Sequence, residues 1–125
     1  MNVVDSSAWL EYFAAGPNAG HFALAIEDAG SLLLPSVVLF EVFKRVLAQC
    51  GPDEALKSAA FMQRGELVPL DASISLSAAR LSLDMQLPMA DSVILATARR
   101  HRAVLWTQDA DFRGMEGVRF FERRG

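Results

Sequence analysis

Asn2-Val3-Val4-Asp5-Ser6-Ser7 is the stretch that decides the fold. A short apolar run with β-branched residues stops at an acid. Beyond Ser6-Ser7, Trp9, Leu10 and Phe13 recur at helical spacing until Gly16-Pro17. The pattern is a buried strand running directly into a helix. It returns along the chain. Residues 31–34 form a second apolar strand stopped by Pro35, and Ser36 is expected to cap a helix. Val38, Val42, Phe43, Val46 and Leu47 are its apolar positions, and Gly51-Pro52 ends it. Residues 66–70 form a third strand. Asp71 then caps a helix to about Met85, with Ile74, Ala78, Leu81 and Met85 on one face. Residues 103–107 and 118–121 supply the fourth and fifth strands, and a helix from about Asp91 to Arg100 leads into the fourth. Two further helices are expected over 18–28 and 53–63.

Strands alternating with helices predict an α/β fold with a central, mainly parallel sheet of four to five strands. Right-handed crossovers gather the carboxyl ends of such strands on one edge, where open α/β proteins bind ligands. Asp5 closes the first strand and Asp109 follows the fourth, so both are expected on that edge. Asp91 opens the helix leading into the fourth strand.

The chain has 125 residues, which fits one domain over 1–125. Hydrophobic residues make up 52% and charged residues 22%, a balance that excludes intrinsic disorder. Cys50 is the only cysteine, which excludes an internal disulfide and multi-cysteine zinc or iron–sulfur sites. His21 and His101 cannot build a histidine-rich metal site. The net charge of −3 argues against an overall basic nucleic-acid binder. The most apolar region, 31–43, is broken by Pro35 and Glu41, so no membrane span is expected. The start lacks a basic targeting segment, which predicts a soluble, cytoplasmic protein. The tail, 122–125, is expected to fray.

Glu41 is the sharpest local clue. It stands in Val37-Val38-Leu39-Phe40-Glu41-Val42-Phe43, with apolar residues on both sides. Ionised carboxylates are rarely buried unless paired or metal-bound. Either Glu41 lies on a polar stripe with Lys44 and Arg45, or it points into a shared acidic site. Converging carboxylates repel one another, and a hard dication relieves that repulsion. Mg2+ and Mn2+ prefer the oxygen ligands this chain offers. A phosphodiester is the logical substrate of such a site. Plainer roles exist for the same residues. Asp91 could serve only as a helix cap, and Asp109 and Asp111 as turn formers. Trp9, Phe13, Phe40 and Phe43 read as core or dimer contacts. Lys44, Arg45 and Arg99 are either a phosphate track or ordinary solvated faces.

Taken together, Asp5 with Ser7, Glu41, Asp91 and Thr107-Gln108-Asp109-Ala110-Asp111-Phe112 resemble the motif set of PIN-domain nucleases, in particular the VapC toxins of VapBC toxin–antitoxin pairs. The resemblance covers nearly the whole chain. It implies a three-layer α/β/α sandwich and Mg2+- or Mn2+-dependent endoribonuclease activity. Asp5, Glu41, Asp91 and Asp109 match the family's acidic quartet, with Asp5, Asp91 and Asp109 as metal ligands. Asp111 matches a further acid of variable role, and Ser7 and Thr107 match hydroxyls that orient the carboxylates. RNA substrate, a small antitoxin partner and a homodimer are implied as well. Alanine at Asp5 is expected to abolish cleavage and spare the fold. Two other readings of the residues stand beside this one: a phosphatase with Asp5 as nucleophile, and a catalytically silent interaction module.

Overall fold

The computed structural model describes residues 1–124; Gly125, the last residue of the tail expected to fray, lies outside the described residues. Five strands alternate with helices: β1 (Asn2–Val4), β2 (Leu32–Pro35), β3 (Glu66–Val68), β4 (Val104–Thr107) and β5 (Val118–Phe120). The helices are α1 (Ser6–Phe13), α2 (Ala19–Ile26), α3 (Ser36–Cys50), α4 (Pro52–Met62), α5 (Ala72–Met85) and α6 (Met89–Arg100). Short 3-10 turns cover Ala29–Ser31 and Ala110–Phe112.

All five strands pair in parallel, in the order β3-β2-β1-β4-β5. The expected sheet is therefore present with five strands, flanked by helices as a three-layer sandwich. Val3, Val4, Leu33, Leu34 and Leu105 are buried, as expected for strands covered on both faces. The order reverses direction between β1 and β4. A doubly wound sheet opens a crevice at such a point, beyond the carboxyl ends of its strands. Asp5 and Asp109 follow the two strands that flank it.

Element boundaries show how each strand hands over to its helix. Asp5 is the N-cap of α1, its side chain accepting from the Ala8 amide. Asp71 caps α5 as expected, accepting from Ile74. Ser36 does not cap α3. Pro35 stays in β2 with extended backbone and occupies the cap position, so the strand enters the helix without a linker. The Ser36 hydroxyl instead accepts from the Leu70 amide at 3.3 Å. Asp91 does not cap α6 either, because Pro88 holds that place and Asp91 falls in the first turn. Gly51, at φ 87°, makes the turn between α3 and α4, which favours glycine.

The core confirms Trp9 and corrects part of the apolar expectation, and Phe40 lies outside it, which leaves the dimer-contact alternative for that ring. Trp9 is buried, packed against Phe13 and Phe61. Phe40 is 63% exposed, and Leu47 and Met85 also stand at the surface. On α3 the buried line is Val38, Val42 and Val46, which leaves the next face outward. Among the described residues, no helix is long and apolar enough to cross a membrane.

Candidate active site

The carboxyl edge of the sheet opens into a cleft of about 670 Å³ at the β1/β4 switch point. Asp5, Glu41, Asp91 and Asp109 all line it, together with Ser7, Lys44 and Arg45. Residues 104 positions apart in the chain thus share one wall because β1 and β4 are neighbours.

Asp5 is the fixed point. It is only 2% exposed. Its Oδ1 accepts from Ser7 Oγ at 2.8 Å and from the Ala8 amide at 3.1 Å. Its Oδ2 accepts from Thr107 Oγ1 at 2.7 Å. Thr107 in turn accepts from the Asp109 amide at 2.9 Å. One buried hydroxyl therefore locks the two strand ends together. Burial pushes the Asp5 carboxyl up to about 6; the hydrogen bonds from Thr107, Ser7 and Ala8 oppose that shift, and the charge of Asp109 adds to it.

Asp91 reaches the same centre from the first turn of α6. Burial pushes its carboxyl up to about 7, and Asp109, Asp5 and Asp111 push in the same direction. A hydrogen bond with Asp111 further favours the protonated form. Carboxylate oxygens of Asp91, Asp109 and Asp111 lie within 4.8 Å of one another. Asp109 Oδ1 accepts from the Asp111 amide at 2.9 Å, which fixes the turn after β4. The turn-forming role foreseen for Asp109 is real and coexists with its place in the cleft. Asp111 is exposed and sits at the rim.

Asp5 and Glu41 line the cleft but are not among the clustered three, which include Asp111 in place of the expected ligand Asp5. Ser6 Oγ donates to Glu41 Oε1 at 2.6 Å, holding the α3 carboxylate against the start of α1. The polar stripe and the shared acidic site turn out to be one face, because Lys44 and Arg45 line the same cleft. Arg99 does not. It is exposed in the last turn of α6, about 12 Å along the helix axis from Asp91, toward the opposite edge of the sheet.

The donor set is all oxygen and all acidic. Among the described residues, the salt bridges are Lys57–Glu54 and Arg113–Glu122, neither of which touches the carboxylates of the cleft. Acids held near neutrality and lacking cationic partners fit a hard divalent cation.

Asp5 also carries a structural duty that its sequence position hides. Alanine there would remove the α1 cap and leave the buried Thr107 hydroxyl, the buried Ala8 amide and the part-buried Ser7 hydroxyl without their acceptor, so sparing the fold is not the expected outcome. Asn18, Gln108 and Arg123 were not singled out by the sequence. Asn18 is 1% exposed, and its amide donates to Gln108 Oε1 at 3.0 Å. In the sequence Asn18 only opens the helix expected over 18–28 after Gly16-Pro17, and in the structure it is the N-cap residue of α2. Gln108 stands between two motif residues, and that adjacency was its only signal.

The PIN domain profile matches residues 3–118. This chain belongs to the PIN-domain family. No curated protein sequence matches it significantly. Its fold is similar to that of a toxin–antitoxin complex from Klebsiella pneumoniae, at TM-score 0.84 and 19% identity, covering 98% of this chain and 100% of that one. VapC20 from Mycobacterium tuberculosis, a toxin that cleaves the sarcin–ricin loop, gives TM-score 0.76 at 18% identity, with 100% of both chains covered. FitAcB from Neisseria gonorrhoeae gives TM-score 0.66 at 19% identity, with 89% of both chains covered. The acids of the cleft all lie within the matched region.

Proposed function

We propose that this PIN domain is a Mg2+- or Mn2+-dependent endoribonuclease, the VapC-type toxin of a toxin–antitoxin pair. The observation that carries the reading is the convergence of Asp5, Asp91 and Asp109 from three distant segments on one cleft, without cationic partners for their carboxylates. Toxin–antitoxin proteins among the similar folds support it. A small antitoxin, a homodimeric state, a single domain over the whole chain and a cytoplasmic location belong to the same proposal.

Asp5, Asp91 and Asp109 would hold the metal. When bound, Mg2+ or Mn2+ would withdraw charge from a phosphoryl oxygen and make water a competent nucleophile near neutral pH. The chain's own residues set up that chemistry. Ser7, the Ala8 amide and Thr107 fix the Asp5 oxygens, so the carboxylate needs no reorganisation on loading. Thr107 ties Asp109 to the same frame. Asp91, whose carboxyl burial and the neighbouring acids push up without metal, would be held in its ionised form by the dication. Glu41, anchored by Ser6, offers an acceptor on the far wall for water or a ribose hydroxyl. Lys44 and Arg45 supply positive charge for the phosphate backbone.

The phosphatase reading needs a free nucleophilic oxygen on Asp5. Three of the roughly four acceptor positions of Asp5 are taken by hydrogen bonds, so the one left serves either a metal or nucleophilic attack, and hydrolysis of small phosphate esters in place of RNA would favour the phosphatase.

The test is cleavage of RNA by the purified chain with Mg2+ or Mn2+, with EDTA, and with Asp91→Asn or Asp109→Asn. These two variants leave the buried Asp5 network untouched. Metal-dependent cleavage lost in both is expected. Equal cleavage by the folded variants and the parent, or cleavage unchanged in EDTA, overturns the assignment.

A further inference from the structure

The end of the chain is built into the site. Beyond β5, the Phe121 amide donates to the Thr107 carbonyl at 2.9 Å, continuing the pairing. The Phe121 ring stacks on His21 at 4.6 Å and meets Phe22 edge-on at 5.4 Å. Asn18 Nδ2 then donates to the Glu122 carbonyl at 2.8 Å, and Arg113 pairs with the Glu122 side chain. The buried Asn18 amide thus bridges the tail to Gln108, the neighbour of Asp109. The next residue, Arg123, is delivered to the wall of the acidic cleft. Of the tail expected to fray, Glu122 is held by these contacts.

Arg123 joins Lys44 and Arg45 as the cations lining the cleft. Among the described residues, none of the three forms a salt bridge, although five acids line the same space: Asp5, Glu11, Glu41, Asp91 and Asp109. Cations left unpaired beside acids are available to an outside anion. Their placement is ordered by the topology. Lys44 and Arg45 stand on α3, which follows β2, whereas Arg123 follows β5. Between β2 and β5 run β1 and β4, whose ends carry Asp5 and Asp109. β2 and β5 are three strand spacings apart, about 14 Å. A chain of linked phosphates has the length and charge to touch both sides.

We infer that Arg123, on a C-terminal tail clamped by Asn18, binds a backbone phosphate of single-stranded RNA on the β5 side of the acidic centre. Lys44 and Arg45 bind the strand on the β2 side. The inference rests on the nuclease reading and adds the direction of the bound strand, from α3 across the acids to the tail. Arg123 is a substrate-binding residue in this account.

The test uses the full-length chain and a short fluorescein-labelled single-stranded RNA of mixed sequence. Fluorescence anisotropy in Ca2+ gives the Kd over a series of salt concentrations. Arg123→Ala is expected to raise the Kd about five-fold, as for loss of one solvent-exposed charge contact. The slope of log affinity against log salt should become shallower by about 0.7, the single-strand value for one phosphate. Arg123→Lys should keep the slope, and Arg124→Ala, on a neighbour that does not line the cleft, should keep both quantities. A parent that binds RNA with an unchanged slope in Arg123→Ala, or an equal loss in Arg124→Ala, overturns the role of Arg123 and leaves the nuclease reading intact. A folded parent that binds no RNA overturns both.

Discussion

Asp5 and Asp91 carry the same side chain toward the same cleft, yet their surroundings differ in kind. Burial raises both. Around Asp5 the next influences are hydrogen bonds that lower the pKa; around Asp91 they are acids that raise it further. The β1/β4 end is therefore a satisfied framework, complete without any ligand. The α6 side, with the turn after β4, is a strained electrostatic cluster that a dication would relieve. Positioning is built into one half of the site and the demand for charge into the other.

The comparison breaks most directly on activity. Asp91→Asn and Asp109→Asn should each reduce metal-dependent RNA cleavage on the order of 10³-fold, matching the several kcal/mol that metal catalysis supplies. Steady-state cleavage at saturating Mn2+ checks this. Next comes the link between the halves. Thr107→Val removes the hydroxyl shared by Asp5 and Asp109 and should weaken Mn2+ affinity about 10- to 100-fold, measured by calorimetry, with Thr107→Ser restoring it.

Stability separates the two halves by sign. Asp5→Asn should cost roughly 1–3 kcal/mol, because one of its buried donors loses its acceptor. Asp91→Asn in the metal-free protein should be neutral or gain up to ~1 kcal/mol, after allowing for solvent screening of a half-exposed group. Thermal melts of both in EDTA provide the comparison.

The pH response sharpens it further. Both acids have folded pKa values above the ordinary 3.8, so protonation favours the native state. Their contribution is fully present below about pH 4 and is lost as pH rises through about 6 and 7. Metal-free melting temperature should therefore fall between pH 5 and pH 8 through these groups. Added Mg2+ should raise it more at the upper end, and an equal Mg2+ effect at both ends would count against the strained cluster. The smallest effect is expected from Arg99→Ala, which lies on the far edge and should leave RNA binding by anisotropy unchanged.

Much of this was legible in the letters. Alternation of apolar runs with helical spacing gave the parallel sheet, and the acids at strand ends pointed to the cleft that Asp5 and Asp109 line. The family motif set reached Asp5, Glu41, Asp91 and Asp109 without coordinates. Boundaries were less legible. Ser36 has the chemistry of a cap, but Pro35 remained in the strand and took that position. Phe40 has core chemistry, yet the three valines of α3 fill the contact and leave it outside. Arg99 belongs to a basic cluster in sequence and sits at the wrong end of its helix for the cleft.

The succession of strands and helices along the chain and the acids at the strand ends were determined by local pattern, because period and turn chemistry act between near neighbours. Which groups meet was decided only by packing. Thr107 reaches Asp5 because β4 pairs with β1, and Asn18 holds the tail because α2 lies beside the end of β5. Burial and mutual repulsion of charges depend on distances through space, and these arise only when the sheet is assembled.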